Sequence, residues 1–184
     1  MTDHERLVLL LATRSARRGS FILSSGKHST LYVDARLVTM SPDGLPLIGV
    51  LGLTALRNTG WTIDAIGGLT LGADPIAYAI SYASASSPVP IRAFTVRKLT
   101  KAHGTGRRIE GPFQAGDHVA IIEDVITTGH SALTAAEAVQ DAGGHIRGVL
   151  ALVDREEGGR EALTAAGFPV VSLVTATEIA REIL

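Results

Sequence analysis

The chain has 184 residues, 46% of them hydrophobic, no cysteine and a formal net charge of -1. That length and apolar content suit one well-buried α/β domain spanning residues 1–184, and the near-zero charge gives no field that would draw it to nucleic acid or an anionic membrane. Disulfides and thiolate metal sites are excluded, which fits a reducing cytoplasm. The opening MTDHER carries both signs, and the apolar run behind it is soon interrupted by arginines. Neither a signal peptide nor a membrane span is expected from it.

In chain order, residues 3–18 have helical spacing, with Arg14, Arg17 and Arg18 near the end and Gly19 as the stop. Residues 21–23 and 31–33 read as a hairpin around the polar tip SSGKHS. Ser41 and Pro42 open a helix that runs through Leu45, Ile48, Leu51 and Leu56 to Gly60, with Pro46 delaying its start by a turn. Residues 63–66 form a short strand. GGLTLGADP follows, with Asp74 as the cap and Pro75 as the first residue of the next helix. A break at 81–90 leads into a strand at 92–96.

Next comes RKLTKAHGTGRRIEGPF, with six basic side chains counting His103, three glycines and little that is apolar to pin it down. It reads as a mobile basic loop. An apolar strand at 119–122, ended by Glu123 and Asp124, passes into an alanine-rich helix starting near Ser131. A strand at 146–153, a helix at 160–166 and a strand at 170–174 complete the chain. Strands alternating with helices imply a mostly parallel central sheet flanked by helices.

Ligands bind at the carboxyl ends of strands in such sheets, which makes the loop after residue 122 a candidate site. The first N–H groups of a helix starting near Ser131 suit a phosphate, Gly129 lets the backbone approach, and Thr127, Thr128 and Ser131 add hydroxyl donors. Glu123 and Asp124 would repel a phosphate. They suit vicinal hydroxyls or water on a metal ion. Phosphate at one end and a diol at the other describe a ribose 5-phosphate. The plainer alternative is a strand-loop-helix whose Ser and Thr residues only cap the helix. No Gly-Lys-Ser/Thr and no G-x-G-x-x-G is present. His4, His28, His118, His130 and His145 show no paired metal spacing and are expected to face solvent. Tyr32 suits either a base pocket or core packing.

EDVITTGHS closely resembles the phosphoribosyl-diphosphate motif of the type I phosphoribosyltransferases. RKLTKAHGTGRRIEG looks like the catalytic loop of the orotate phosphoribosyltransferase branch, with Arg97, Lys98, Lys101 and His103 on its four positions. FILSSGKHSTLYVD resembles the amino-terminal hairpin, GGLTLGADP the diphosphate-facing loop, and LVDREEGG the segment whose arginine, here Arg155, contacts orotate. The likeness runs over residues 19–161.

The resemblance implies transfer of the phosphoribosyl group from phosphoribosyl diphosphate to N1 of orotate, giving orotidine 5'-phosphate in pyrimidine biosynthesis. Lys101, His103 and Asp124 would be catalytic. Arg97, Lys98, Lys101 and His103, together with Glu123, Asp124, Val125, Ile126, Thr127, Thr128, Gly129, His130 and Ser131, would contact phosphoribosyl diphosphate. Thr127 and Arg155 would contact orotate. Mg2+ would be held mainly by substrate and water, with no protein cage. Residues 1–40 and the carboxyl-terminal segment would form a hood over the base. The chain would work in the cytoplasm as a homodimer, with its 97–103 loop acting across subunits and without nucleic-acid or membrane partners.

Many relatives carry lysine where this chain has Ser24, and another near Gly72. Lys27 would replace the first, and backbone N–H groups of residues 68–73 the second. The competing readings are a purine or other-base phosphoribosyltransferase, which would not need Arg155, and a non-catalytic regulator that senses phosphoribosyl diphosphate.

Overall fold

The computed structural model describes residues 1–22, 28–98 and 108–183. Its strands are β1 (Ala16–Ile22), β2 (His28–Val33), β3 (Ala65–Leu69), β4 (Arg92–Val96), β5 (Ile109–Glu110), β6 (His118–Ile126), β7 (His145–Asp154) and β8 (Val170–Thr175). The helices are α1 (Asp3–Leu10), α2 (Arg36–Thr39), α3 (Gly44–Asn58), α4 (Ala73–Ser84), α5 (His130–Asp141), α6 (Gly159–Ala165) and α7 (Ala176–Glu182), with one π-helical turn over Leu11–Ser15.

β1 and β2 form an antiparallel pair, and the other strands form one sheet in the order β5-β4-β3-β6-β7-β8. Neighbours from β4 to β8 in that order run parallel, and β5 alone is antiparallel, on the edge. The expected mostly parallel sheet flanked by helices is therefore present. The reason lies in the strand side chains: Val119 and Ile121 join one core cluster with Ala132, Ala135 and Val139 of α5. Ala120 and Ile122 join another with Ile48 of α3 and Ile76 and Ile80 of α4. Successive residues of a strand point to opposite faces, so a run apolar at every position is covered on both.

The connection through α4 runs outward from β3 to β4, while α5 and α6 carry the chain from β6 to β7 and β8 in the other direction. β3 and β6 are thus the neighbours between which the winding reverses. The crevice at their carboxyl ends is where a sheet of this kind receives a ligand.

Several boundaries differ from the expected ones. The first helix gives way at residue 16 to β1, because Ala16, Arg17 and Arg18 pair with Val33, Tyr32 and Leu31. Arg17 and Arg18 are strand residues, and Gly19 stops no helix. Strand β3 starts two residues later than the expected 63–66 segment and passes through Gly67 and Gly68. A Cβ on Gly68 would overlap the carbonyl oxygen of Ile122, so the glycine permits close approach to β6. α3 starts at Gly44, which keeps Pro46 within the first turn where its missing N–H costs nothing.

Asp74 does not cap α4. That cap is Gly72, and Asp74 lies inside the first turn. Its nearly buried carboxylate accepts from Thr70 Oγ1 at 2.7 Å and Thr95 Oγ1 at 2.9 Å. It braces the β3–α4 loop from beneath. β6 runs on through Glu123 and Asp124 to Ile126, so the acidic pair lies in the strand and does not end it. α2 and β5, one turn and two residues long, carried no sequence signal.

The two chain ends meet. α7 packs against α1 and the π-helical turn, with Ile179 fully buried between them. Arg18 Nη2 of β1 donates to the carbonyl of Ala180 at 2.8 Å. Among the described residues, no helix is long and apolar enough to cross a membrane.

Candidate active site

At the β3/β6 crevice lies a cleft of about 550 Å³. It is lined by the carboxyl end of β6 with the start of α5, the β3–α4 loop from Leu69 to Gly72, the β2–α2 segment from Tyr32 to Arg36, Phe21 of β1, Lys98 after β4 and Arg155 after β7.

The start of α5 follows from local chemistry. Gly129 sits at φ +80°, a left-handed backbone that suits glycine, and turns the chain into the helix. The His130 N–H faces Thr128 Oγ1 at a long 3.4 Å, so no strong side-chain cap closes this end. Thr127, Thr128 and Ser131 line the cleft beside it. Their hydroxyls and the helix's first N–H groups make an anion-binding end.

Glu123 and Asp124 both line the cleft, in unlike surroundings. Asp124 is half-buried, and one carboxylate oxygen accepts its neighbour Val125's N–H at 2.9 Å. Glu123 is buried, and its Oε2 has no hydrogen-bond partner among the described residues. Burial pushes its carboxyl well above the ordinary range, helped by the charge of Asp124 and by a hydrogen bond with it.

An acid whose folded pKa is raised binds more protons folded than unfolded. Its stabilising contribution is complete below the unfolded value and is lost as pH rises through the folded one. For the unliganded protein, Glu123→Gln is therefore expected to flatten the fall in stability as pH rises above the ordinary glutamate value of about 4. Urea unfolding across that range checks it, and a pH profile parallel to wild type would show that Glu123 is not held protonated.

Arg155 is not a surface arginine. Its side chain is 3% exposed, and Nη2 donates to Leu31 O at 2.6 Å and to Glu157 Oε1 at 2.7 Å. Its backbone N–H donates to Ile126 O at 2.9 Å, which ties it to the end of β6. Phe21 and Tyr32, with ring centroids 5.5 Å apart, stand on the same lining. A guanidinium beside aromatic rings suits a planar ligand with a carboxylate.

Of the residues expected from sequence, Lys98, Glu123, Asp124, Val125, Thr127, Thr128, Ser131 and Arg155 share this cleft. Arg97 does not line it; its Nη1 donates to Glu110 Oε1 at 3.2 Å across the β4/β5 edge. Ile126 is buried in the core under α6, and the side chain of His130 is exposed. Gly129 is buried against Leu163 and Gly159. Lys101, His103, Ser24 and Lys27 lie outside the described residues.

Asp34 and Arg36 went unnoticed in the sequence. Arg36 Nε and Nη2 donate to Asp34 Oδ1 and Oδ2 at 2.8 and 3.0 Å, and the guanidinium holds Asp34 below the usual carboxylate range. The opposite charges two residues apart after the YV strand end were the available signal. Backbone around the peptide between Thr70 and Leu71, which is cis, forms the opposite wall.

No family model matches the chain. The curated orotate phosphoribosyltransferase of Aquifex aeolicus is 46% identical over 182 residues, covering 97% of this chain and 98% of its own. That of Synechocystis is 45% identical over 174 residues, covering 94% of this chain and 86% of its own. A crystal structure of Mycobacterium tuberculosis orotate phosphoribosyltransferase in complex with 5-phospho-alpha-D-ribosyl 1-diphosphate superimposes with a TM-score of 0.80 at 40% identity, covering 97% of this chain and 99% of that one. With the expected sheet, switch-point cleft and motif order all in place, and identity sustained along nearly the whole length, the chain belongs to the orotate phosphoribosyltransferase family.

Proposed function

We propose that this cleft transfers the 5-phosphoribosyl group from phosphoribosyl diphosphate to N1 of orotate, giving orotidine 5'-phosphate and diphosphate. The observation that carries the reading is the convergence, in one cavity, of a helix-start phosphate site, a carboxylate pair and a buried arginine beside an aromatic pair. A purine has no carboxylate to offer the Arg155 guanidinium.

Breaking the bond from ribose C1 to the diphosphate leaves positive charge on the sugar and gathers negative charge on the leaving group. The protein's part is electrostatic and positional. Backbone N–H groups at the start of α5 and the hydroxyls of Thr127, Thr128 and Ser131 hold the 5'-phosphate, with the charge of the α5 dipole behind them. Asp124 and Glu123 accept from the ribose hydroxyls. Arg155 grips the orotate carboxylate and turns N1 toward C1. Lys98, with Lys101 and His103, meets the diphosphate.

Among the described residues no cluster of three or more His, Asp or Glu side chains is arranged to hold a metal. The half-buried Asp124 and the unpartnered Glu123 oxygen instead fit an Mg2+ ion whose remaining ligands are substrate and water. Such an ion would neutralise charge on the departing diphosphate. The hood over the base is taken to be residues 1–40 with the carboxyl-terminal segment, which meet each other, Phe21 and Tyr32 lying on the cleft lining. We place the protein in the cytoplasm as a homodimer whose 97–103 loop serves its neighbour's site.

The direct test follows orotate by its ultraviolet absorbance with phosphoribosyl diphosphate and Mg2+, and runs uracil and hypoxanthine in parallel. Orotate is expected to disappear only when donor and metal are both present. Turnover of another base instead would replace the acceptor, and donor binding without any turnover would make the protein a sensor.

A further inference from the structure

The turn that carries Arg155 has an unusual backbone. Glu156 is, among the described residues, the one non-glycine position with positive φ, at 56°. A side chain in that region is strained, and the conformation persists only where the surroundings hold it. Two sets of bonds do so. Asp154, nearly buried, accepts the Glu156 N–H at 2.8 Å. Glu156 Oε2 in turn accepts from Thr177 at both its N–H, 2.8 Å, and its Oγ1, 2.6 Å.

The geometry has a consequence on each side of the turn. Arg155 and Glu157 face each other across it, joined at 2.7 Å, while the Glu156 carboxylate reaches α7. α7 is itself fixed: Thr175 and Glu178 form a reciprocal cap, Ile179 is fully buried, and Arg18 bonds the Ala180 carbonyl. Arg155 is thereby tied to the hairpin through Leu31 O and, through the next residue's carboxylate, to α7, which Arg18 bonds to that hairpin.

We propose that Glu156 is a positioning residue for the acceptor base: through Thr177 it locks α7 to the Arg155 turn, so that the orotate carboxylate meets a guanidinium already aimed. This rests on the reading of Arg155 given above. Glu156 touches no substrate. Its effect belongs in orotate binding, because a pre-aimed partner spares the ligand the cost of ordering it.

The test is steady-state kinetics on Glu156→Ala, Glu156→Gln, Glu156→Gly and Thr177→Val, with KM measured for each substrate. Losing both bonds to a charged, solvent-facing acceptor should raise KM for orotate about fivefold in Glu156→Ala, and Thr177→Val, which loses the Oγ1 bond and keeps the backbone N–H bond, should raise it about twofold, with kcat and the KM for phosphoribosyl diphosphate unchanged. Because Glu156→Ala already removes the bond that Thr177→Val removes, Glu156→Ala/Thr177→Val should go little further than Glu156→Ala alone. Glu156→Gln keeps an acceptor oxygen and should recover most of the loss. Glu156→Gly relieves the backbone and removes the lock, so a raised KM there assigns the effect to the lock.

An unchanged KM for orotate in Thr177→Val and Glu156→Ala, with only a lower unfolding midpoint, would overturn the proposal and leave a brace of stability. A fall in kcat alone would overturn it too. A wild-type protein that consumes no orotate removes the reading of Arg155 itself, a failure visible before any variant is compared.

Discussion

Gly68→Ala is expected to lose about 3 kcal/mol of stability, the upper range for forcing an added methyl into a packed interior. The added Cβ would overlap the Ile122 carbonyl oxygen and stand 2.7 Å from Ala73 Cβ. Backbone on one side and a helix start on the other leave no flexible side chain to give way. β3 must move away from β6, and the two pair directly through Ala65, Ile66 and Gly67 against Val119, Ala120 and Ile121. The shift is transmitted to the cleft, because Ile122 precedes Glu123 and Ala73 follows the Leu69–Gly72 wall. Protein that still folds should therefore also turn over more slowly. The drop in urea midpoint at constant denaturant slope measures the first effect. Stability within about 0.5 kcal/mol of wild type would mean that β3 and β6 separate at no cost, contrary to the contact.

The parts of the site legible in the sequence were those encoded locally. Strand, hydroxyl cluster, glycine and helix follow one another between residues 119 and 142, so their chemistry could be read in order. Where polarity was used as a boundary, it misled. Glu123 and Asp124 looked like the end of a strand because charged residues leave a core, yet at the carboxyl end of a central strand they leave it into a cleft and the backbone ladder continues to Ile126. Asp74 looked like a cap for the same reason. Its partners Thr70 and Thr95 come from two different elements, one of them a strand that only folding brings near. Arg17 and Arg18 resembled a helix end until a partner strand 13 or more residues later claimed them. The base-side wall was the least readable: the Arg155 contact with Leu31 spans 124 positions, and α2, which places Arg36, is a single turn without periodicity.

Lys101→Ala is expected to lower turnover about 10²- to 10³-fold, the cost of removing one donor that acts on charge developing in the transition state. In the proposed reaction negative charge accumulates on the diphosphate as it leaves, and a Lys101 ammonium acting there would meet it more strongly in the transition state than in the bound substrate. The loss should fall on kcat and leave orotate binding nearly intact, because the proposed function puts orotate on the Arg155 side of the cleft. Wild-type turnover in Lys101→Ala would remove that residue from the mechanism. If the 97–103 loop serves the neighbouring subunit, Lys101→Ala and Asp124→Asn proteins, each feeble alone, should complement when mixed. In a hybrid dimer one site then receives both substitutions and the other neither. Random exchange makes about half the dimers hybrid, so activity should return to about a quarter of wild type. No recovery after subunit exchange has been demonstrated by mass would mean that the loop closes over the cleft of its own chain.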